Sequence, residues 1–348
     1  GTTDVGASPF VYPGYIPVTD DDNRRRIARL WNTDFEKLSG KPGLTTVEIM
    51  HAAHRGEIKA MYIMGENPML TDPDLNHTAK ALEKLDFLVV QDIFHTETTP
   101  FADVILPASS YAEKDGTFVN SDRRVLRVRK AVKMPGEARE DWKIILDITE
   151  RMGYDIGTYA NASEIFDEIA KAAPIMGGIN YDRIEIEGLQ WPCPDVNHPG
   201  TSTLFLERFN TPDGKAILNP VDYIEQTEKA TEEFPFILNS GRILYQYHSA
   251  TMSRKNKALN DFANEAYVLM NPIDAYKHGF KTGERVKLSN TRGELETTLK
   301  EDDGVSIGEL FMPWHFSEAL VNKLTRAELD PYSKIAPFKL SACRVEKV

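Results

Sequence analysis

Apolar and polar positions change period along this chain, and the changes mark its elements. Residues 1–40 are loop-rich, with Pro9, Pro13, Gly14 and Pro17 ahead of a helical segment, DDNRRRIARLWN. A helix then begins near Thr45. Val47, Ile49, Met50, Ala52 and Ala53 share one face, and Thr45 or Thr46 supplies the N-cap. The apolar run 60–64 reads as a strand that stops at Gly65-Glu66-Asn67-Pro68. Residues 78–85 have helical spacing, and the run 87–90 is a second strand that stops at Gln91-Asp92. Strand, polar loop, helix, strand, polar loop is the order that implies parallel strands. A third short strand is read over 102–106, ended by Pro107. Helices follow at 142–152, closed by Gly153, and at 163–173, opened by Ser163.

The texture changes from about Gly177. Residues 177–235 hold much Gly, Pro and Asn with few periodic runs, and read as a long connection. Strand-like runs dominate afterwards, at 234–239, 267–270, 285–289, 294–299, 309–312 and 342–346. Thr291-Arg292-Gly293 and Asp302-Asp303-Gly304 are turns between them, and 271–278 is a short helix closed by Gly279. Short strands with Gly turns imply a small barrel. The expected fold is an α/β domain over 1–198 followed by a β-barrel domain over 199–348.

Composition narrows the function classes. A net charge of −12 turns the chain away from nucleic acid. No run approaches the length of a membrane span, so no membrane insertion is expected. Cys193 and Cys343 cannot build a disulfide framework or hold an iron–sulfur cluster alone, and a reducing, cytoplasmic setting is expected. No His-x-x-x-His or Cys-rich spacing supports a metal site ligated by this chain.

Two regions carry candidate chemistry. Ligands of parallel sheets bind at the carboxyl ends of the strands. That is where Gly65, Glu66, Asn67 and Pro68 and the pair Gln91-Asp92 fall, and their amide and carboxylate groups suit the edge of a heterocycle. Spacing alone favours two ordinary strand-to-helix turns. Residues 240–255 hold Gly241, Arg242, Tyr247, His248, Ser249, Thr251 and Met252. A flexible loop rich in hydroxyls with an Arg is what a diphosphate needs. A hairpin connection with a surface Arg is the plainer reading of those residues taken by themselves.

A resemblance shifts that balance. YPGY (12–15), GENP (65–68), QDIFHTETTPFADVILPASSYAEKDGTFVNSDRR, EDWKI, GLQWPCPD, SGRILYQYHSATMSRK, NPIDAYKHGFKTGERVKLSNTRGELE and PWHFSEALVNKLTRAELDP occur in this order. Together they resemble the molybdopterin (molybdenum or tungsten) oxidoreductase family over nearly the whole chain. The likeness is closest to catalytic subunits of formate dehydrogenases. It implies a barrel of the six-stranded double-psi type and a bis-molybdopterin guanine dinucleotide cofactor with molybdenum or tungsten. It also implies oxidation of formate to carbon dioxide, or the reverse, with electrons passed to iron–sulfur centres.

By the same resemblance the loop Gly65, Glu66, Asn67 and Pro68 contacts a guanosine portion, Asn67 standing where relatives often have Asp. Gln91 and Asp92 lie at the next strand end. Ala108 stands where a relative's Ser contributes, and Asp141 accepts from guanine, an N-cap role for the helix at 142 being an equal alternative. Arg242, Tyr247, His248, Thr251 and Met252 form the next cofactor segment. Trp314 stacks on the pterin, His315 is a structural or cofactor-contacting residue rather than a base, and Asn322 pairs with an amide edge. Phe338 and Lys339 complete the set. The family's active-site Cys or selenocysteine and its cluster motif are not in this sequence, so no catalytic residue is assigned.

The chain thus resembles the C-terminal half of a catalytic subunit. Its implied partners are the N-terminal half, on the same or a separate chain, and iron–sulfur electron-transfer subunits. Another member of the family, such as a nitrate reductase, or a separately encoded cofactor-binding module without turnover, fits the same residues. The chain alone is expected to be inactive and to expose an apolar face.

Overall fold

A computed structural model describes residues 1–348. In chain order its first elements are β1 (Val11–Tyr12), β2 (Ile16–Pro17), α1 (Asp21–Leu30), α2 (Thr46–His54), β3 (Ala60–Met64), α3 (Pro68–Thr71), α4 (Leu75–Leu82), β4 (Phe87–Asp92) and β5 (Val104–Pro107). Then come β6 (Gly116–Val119), β7 (Arg124–Val128), α5 (Asp141–Arg151), α6 (Ala162–Ala172) and β8 (Leu189–Gln190). The rest are β9 (Phe236–Gly241), α7 (Lys257–Phe262), β10 (Tyr267–Met270), α8 (Pro272–His278), β11 (Arg285–Ser289), β12 (Glu294–Glu301), β13 (Glu309–Pro313) and β14 (Ser341–Lys347). They form two compact units, residues 1–44 with 107–222, and residues 45–106 with 223–348.

In the first unit β6, β7 and β8 make an antiparallel sheet. Its core gathers Val125, Phe166, Met176, Ile179, Ile184 and Cys193. Helix α5 corrects one expectation. Glu140 is its N-cap and Asp141 its first residue, so Asp141 is not the cap; its carboxylate pairs with Lys114 instead. Helix α6 starts from Asn161 rather than Ser163, because the Asn161 Oδ1 accepts from the N–H groups of Ser163 and Glu164 at 2.9 and 3.3 Å.

In the second unit Thr45 opens α2 with a capping box. The Glu48 carboxylate accepts from the Thr45 backbone N–H at 2.9 Å and from its hydroxyl at 2.8 Å. Strands β3 and β4 run parallel, Ile63 beside Val90, in a sheet of order β3-β4-β5. Met50 and Ala53 of α2 and Ala81 and Leu82 of α4 pack on one face of it, against Ile63, Leu88 and Val90. Gly65 ends β3 at φ 66°, a left-handed turn that favours Gly, and its N–H donates to the Gln91 carbonyl at 2.9 Å.

The remaining strands close a barrel of order β10-β12-β11-β14-β9-β13. Strands β9 and β13 are parallel, as are β10 and β12, and the other neighbours are antiparallel. Period-two alternation turns Val286, Leu288, Leu295, Leu299, Leu310 and Met312 into its interior. The expected class, α/β followed by a six-stranded barrel, is what forms. No helix is long and apolar enough to cross a membrane.

Candidate functional site

Two adjoining cavities open in the second unit, among the loops that leave β3, β9 and β13 and the segment before β14. The first, about 510 Å³, is lined by Thr71, Ser240, Arg242, His248, Trp314, Asn322, Phe338 and Lys339. The second, about 390 Å³, shares Thr71, His248 and Phe338 and adds Gly65, Glu66, Asn67, Asp72, Ser249 and Lys334, among others.

Strand β9 delivers one of the first cavity's two cations, and the segment before β14 delivers the other, Lys339. Strand β9 ends at Gly241, where a Cβ would lie 2.2 Å from the Phe311 ring on the neighbouring β13, so only Gly lets the two strand ends approach. Arg242 follows, its guanidinium 5.8 Å from the Trp314 ring centroid. The loop beyond is held by side chains. Ser253 accepts from the Tyr247 N–H at 3.0 Å and donates to Gln246 at 2.6 Å, and Gln246 donates to the Ala263 carbonyl at 2.8 Å. His248 and Ala250 sit at φ 47° and 58°, left-handed positions that cost about 1 kcal/mol or more for residues with a Cβ.

His315 is buried between two backbone groups. Its Nε2 accepts from the Ile243 N–H at 3.0 Å while Nδ1 donates to the His248 carbonyl, which fixes a neutral tautomer. Burial lowers its pKa, and the charge of Arg242 acts in the same direction. This ring is a brace for the Arg242–His248 loop.

The charge pattern of the first cavity is one-sided. Its lining holds Arg242 and Lys339 and no carboxylate, in a chain of net charge −12. Lys339 donates to the Ser240 carbonyl, and its pKa is lowered first by burial and then by Arg242. Burial and Arg242 likewise lower the pKa of His248, whose ring meets Trp314 edge-on at 5.0 Å. Asn322 is buried; its Nδ2 donates to the Leu70 and Thr71 carbonyls at 2.9 and 3.3 Å, and its Oδ1 has no partner. Two cations, a planar indole, hydroxyls and an orphaned amide oxygen fit an anionic dinucleotide that carries a heterocycle.

The second cavity is more neutral. The Asn67 amide is already engaged, donating to Glu97 at 2.6 Å and accepting from Thr98 at 2.8 Å. Asp72 is buried with Oδ2 unpartnered, and its pKa is pushed up to about 7 by burial and then by the charge of Glu66. Thr251 lines a third cavity of about 260 Å³, with His315, Arg254 and Lys255.

Other expected positions stand apart from these linings. Pro68 starts α3. Gln91 is buried and accepts from the Tyr62 hydroxyl; the Asp92 carboxylate accepts from the N–H groups of Ile93 and Phe94 at 2.6 and 3.3 Å. Tyr247 and Met252 are exposed. Ala108 and Asp141 belong to the first unit, where Ala108 is buried and bridges Arg139. The sequence reading passed over Thr71, Asp72, Ser240 and Lys334. The triplet Thr71-Asp72-Pro73, so soon after GENP, was the signal available for the first two.

Comparison with known proteins agrees with this chemistry. Residues 4–151 match the family model described as Molybdopterin oxidoreductase, and residues 236–342 match the Molydopterin dinucleotide binding domain. The chain is 45% identical over 349 residues to the F420-dependent formate dehydrogenase subunit alpha of Methanocaldococcus jannaschii, covering 100% of this chain and 51% of that protein. It is 37% identical over 352 residues to formate dehydrogenase H of Escherichia coli, covering 100% of this chain and 49% of that protein. The chain thus spans about half the length of the curated relatives it matches. Among solved structures, acetylene hydratase from Pelobacter acetylenicus superposes with a TM-score of 0.72 at 17% identity, over 95% of this chain and 50% of that one, a likeness of fold. The chain belongs to the molybdopterin oxidoreductase family.

Proposed function

We propose that this chain is the cofactor-holding C-terminal part of a molybdenum- or tungsten-dependent formate dehydrogenase, acting within a larger catalytic subunit. Residues 1–198 are read as part of the oxidoreductase α/β domain and 199–348 as the dinucleotide-binding domain. The observation that carries the reading is the 510 Å³ cavity lined by Arg242, Lys339, Trp314 and Asn322 without an acid. When bound, bis-molybdopterin guanine dinucleotide supplies the redox chemistry, and the protein supplies position and electrostatics. Arg242 and Lys339 hold an anionic limb, Trp314 offers a flat apolar surface, and Asn322 presents its free Oδ1 to a donor edge. His315 keeps the loop that carries Arg242 and His248 in place.

Gly65, Glu66, Asn67, Pro68, Gln91, Asp92, Ala108 and Asp141 are assigned to the guanosine end, and Tyr247, His248, Thr251, Met252 and Phe338 to the pterin and diphosphate. The metal ligand and iron–sulfur cluster belong to the rest of the subunit, and electrons pass to iron–sulfur partners. A reducing cytoplasmic setting goes with this reading, in keeping with two buried free thiols, Cys193 and Cys343. Formate-dependent reduction of a viologen dye tests it. The complete subunit turns over, while the 348-residue chain alone, even after cofactor loading, does not. Turnover by the chain alone, or a complete subunit that reduces nitrate and ignores formate, contradicts the proposal.

A further inference from the structure

Helix α2 carries His51 and His54 three residues apart, hence on one face, and α4 packs against it with His77. The His51 and His77 rings lie 4.9 Å apart between centroids, with Nδ1 of His51 2.9 Å from Nε2 of His77. His54 adds a third ring, 4.5 Å from that of His77, and its Nδ1 is buried without a partner. The other end of the row reaches the segment that carries Asn322: Nε2 of His51 is 3.2 Å from the Ala327 carbonyl. A carbonyl only accepts, so Nε2 of His51 carries the proton. Its Nδ1 is then bare in the neutral ring, and Nε2 of His77 donates to it. No three donors in this chain have the spacing of a metal site, so the rings are read as a hydrogen-bonded row.

We propose that His51 and His77 form a proton-sensitive latch that holds the segment carrying Asn322 against α2 and α4. The segment has two ties to this part of the fold. Asn322 Nδ2 donates to the Leu70 and Thr71 carbonyls ahead of α4, and the Ala327 carbonyl accepts from His51. With both rings neutral the row of donors is complete. One added proton goes to Nδ1 of His77 and sets a cation against His54. A second puts N–H against N–H across the 2.9 Å gap and breaks the tie. Burial first, then His51, His54 and Lys80 disfavour the His77 cation, while Asp74 favours it. The other charges on the elements packed here are engaged. Glu48 of α2 pairs with Lys334 at 3.5 Å, Arg55 pairs with Glu57 at 2.7 Å, and Lys84 donates to the His54 carbonyl at 2.5 Å. Beside Ala327, Arg326 pairs with Glu228 and Glu328. The β11–β12 turn, which meets α4 at Asn76, brings Arg292, also paired with Glu228. Lys323, next to Asn322, is one further cation. Helix α3 and the sheet face beneath the helices bring no charge. A folded pKa below the unfolded one leaves stability intact above about pH 6.5 and erodes it as pH falls below. The latch is therefore closed at neutral pH and opens in mild acid. Because Asn322 lines the 510 Å³ cavity, an open latch loosens the dinucleotide there, a consequence that rests on the reading above.

Hydrogen exchange read by mass spectrometry on the complete subunit tests the latch, with guanine nucleotide assayed in the same samples. The reporters are the Lys323 and Leu324 amides, which donate to the Leu320 and Val321 carbonyls at 3.0 and 2.9 Å. After correction for the intrinsic pH dependence of exchange, their protection falls at least fivefold from pH 7.5 to pH 5.5, and nucleotide retention falls with it. His77→Gln keeps an N–H donor for His51 Nδ1 and cannot take up a proton, so protection holds at both pH values. His51→Ala removes the tie, and protection is low at both. His248 and His315 are intact in all three proteins, so a difference among them reports the latch. Wild-type protection that ignores pH, or an equal fall in His77→Gln, overturns the proposal. If His51→Ala yields no folded subunit, the wild type and His77→Gln decide. A latch that opens in a subunit devoid of guanine nucleotide rejects the cofactor reading alone. A nucleotide-loaded subunit whose segment stays protected at pH 5.5 rejects the latch alone.

Discussion

Asp72 brings a titratable group into the second cavity with one carboxylate oxygen out of reach of any partner. Burial and the nearby Glu66 charge move its pKa from 3.8 up to about 7. A folded pKa above the unfolded value makes the folding contribution largest below pH about 4 and steadily lost as pH rises through about 7. Replacing Asp72 by the near-isosteric Asn removes that loss. Urea denaturation of the isolated chain is expected to show Asp72→Asn more stable at pH 8 by on the order of 2–4 kcal/mol, with little change at pH 4. An equal effect at both pH values contradicts the assignment. His248 and His315 titrate with the opposite sign. Their lowered pKa values leave stability intact above about pH 6.5 and erode it as pH falls below. At this scale the sequence singled out residues from separate segments that the fold brings together: Arg242, Trp314 and the Phe338-Lys339 pair line one cavity. It was silent where packing decides. Nothing local separates the engaged amide of Asn67 from the orphaned oxygen of Asp72, because Thr98 and Glu97 meet Asn67 only after β4 has paired with β3.

Among the elements, the segment that carries Asn322 depends on one carboxylate. Glu228 meets Arg292 Nη2 and Arg326 Nε at 2.8 Å each, the latter as an ion pair with poor hydrogen-bond angle, and accepts from the Ala342 N–H at 2.6 Å. Arg292 and Asn290 both donate to the Leu324 carbonyl at 2.9 Å, which ties the segment around Asn322 to the β11–β12 turn. All three charged side chains are largely buried. Glu228→Gln therefore leaves Arg292 without its charge partner and Arg326 with Glu328 alone, and is expected to cost about 3–5 kcal/mol in chemical denaturation. A loss below about 1 kcal/mol would place the clamp among surface ion pairs. The barrel strands and β3, α2 and β4 were legible because period-two and helical patterns coincide with buried faces. Boundaries slid where caps decide: α4 starts at Leu75, three residues ahead of the periodic run, because Asp74 accepts from the His77 N–H at 3.2 Å. The β6–β7 hairpin escaped notice since Arg124 and Arg127 interrupt its apolar positions and Val125 alone in β7 is fully buried.

For the whole molecule, the net charge of −12 repels anions at a distance, while the cavity at the end of β9 attracts one at close range through Arg242 and Lys339. An acidic protein that spends two adjacent cations on a cavity without an acid is built around a bound anion, and that is the central claim. Its most direct test is cofactor content. The complete subunit is purified from a host that makes molybdopterin guanine dinucleotide, and guanine nucleotide released by acid is measured together with molybdenum or tungsten. Arg242→Ala is expected to lower both at least fivefold, with the melting temperature of the isolated cofactor-free chain unchanged, since an exposed Arg adds little to stability. Arg242→Lys, which keeps the charge and loses the forked geometry, falls between. Full nucleotide and metal occupancy in Arg242→Ala would contradict the account.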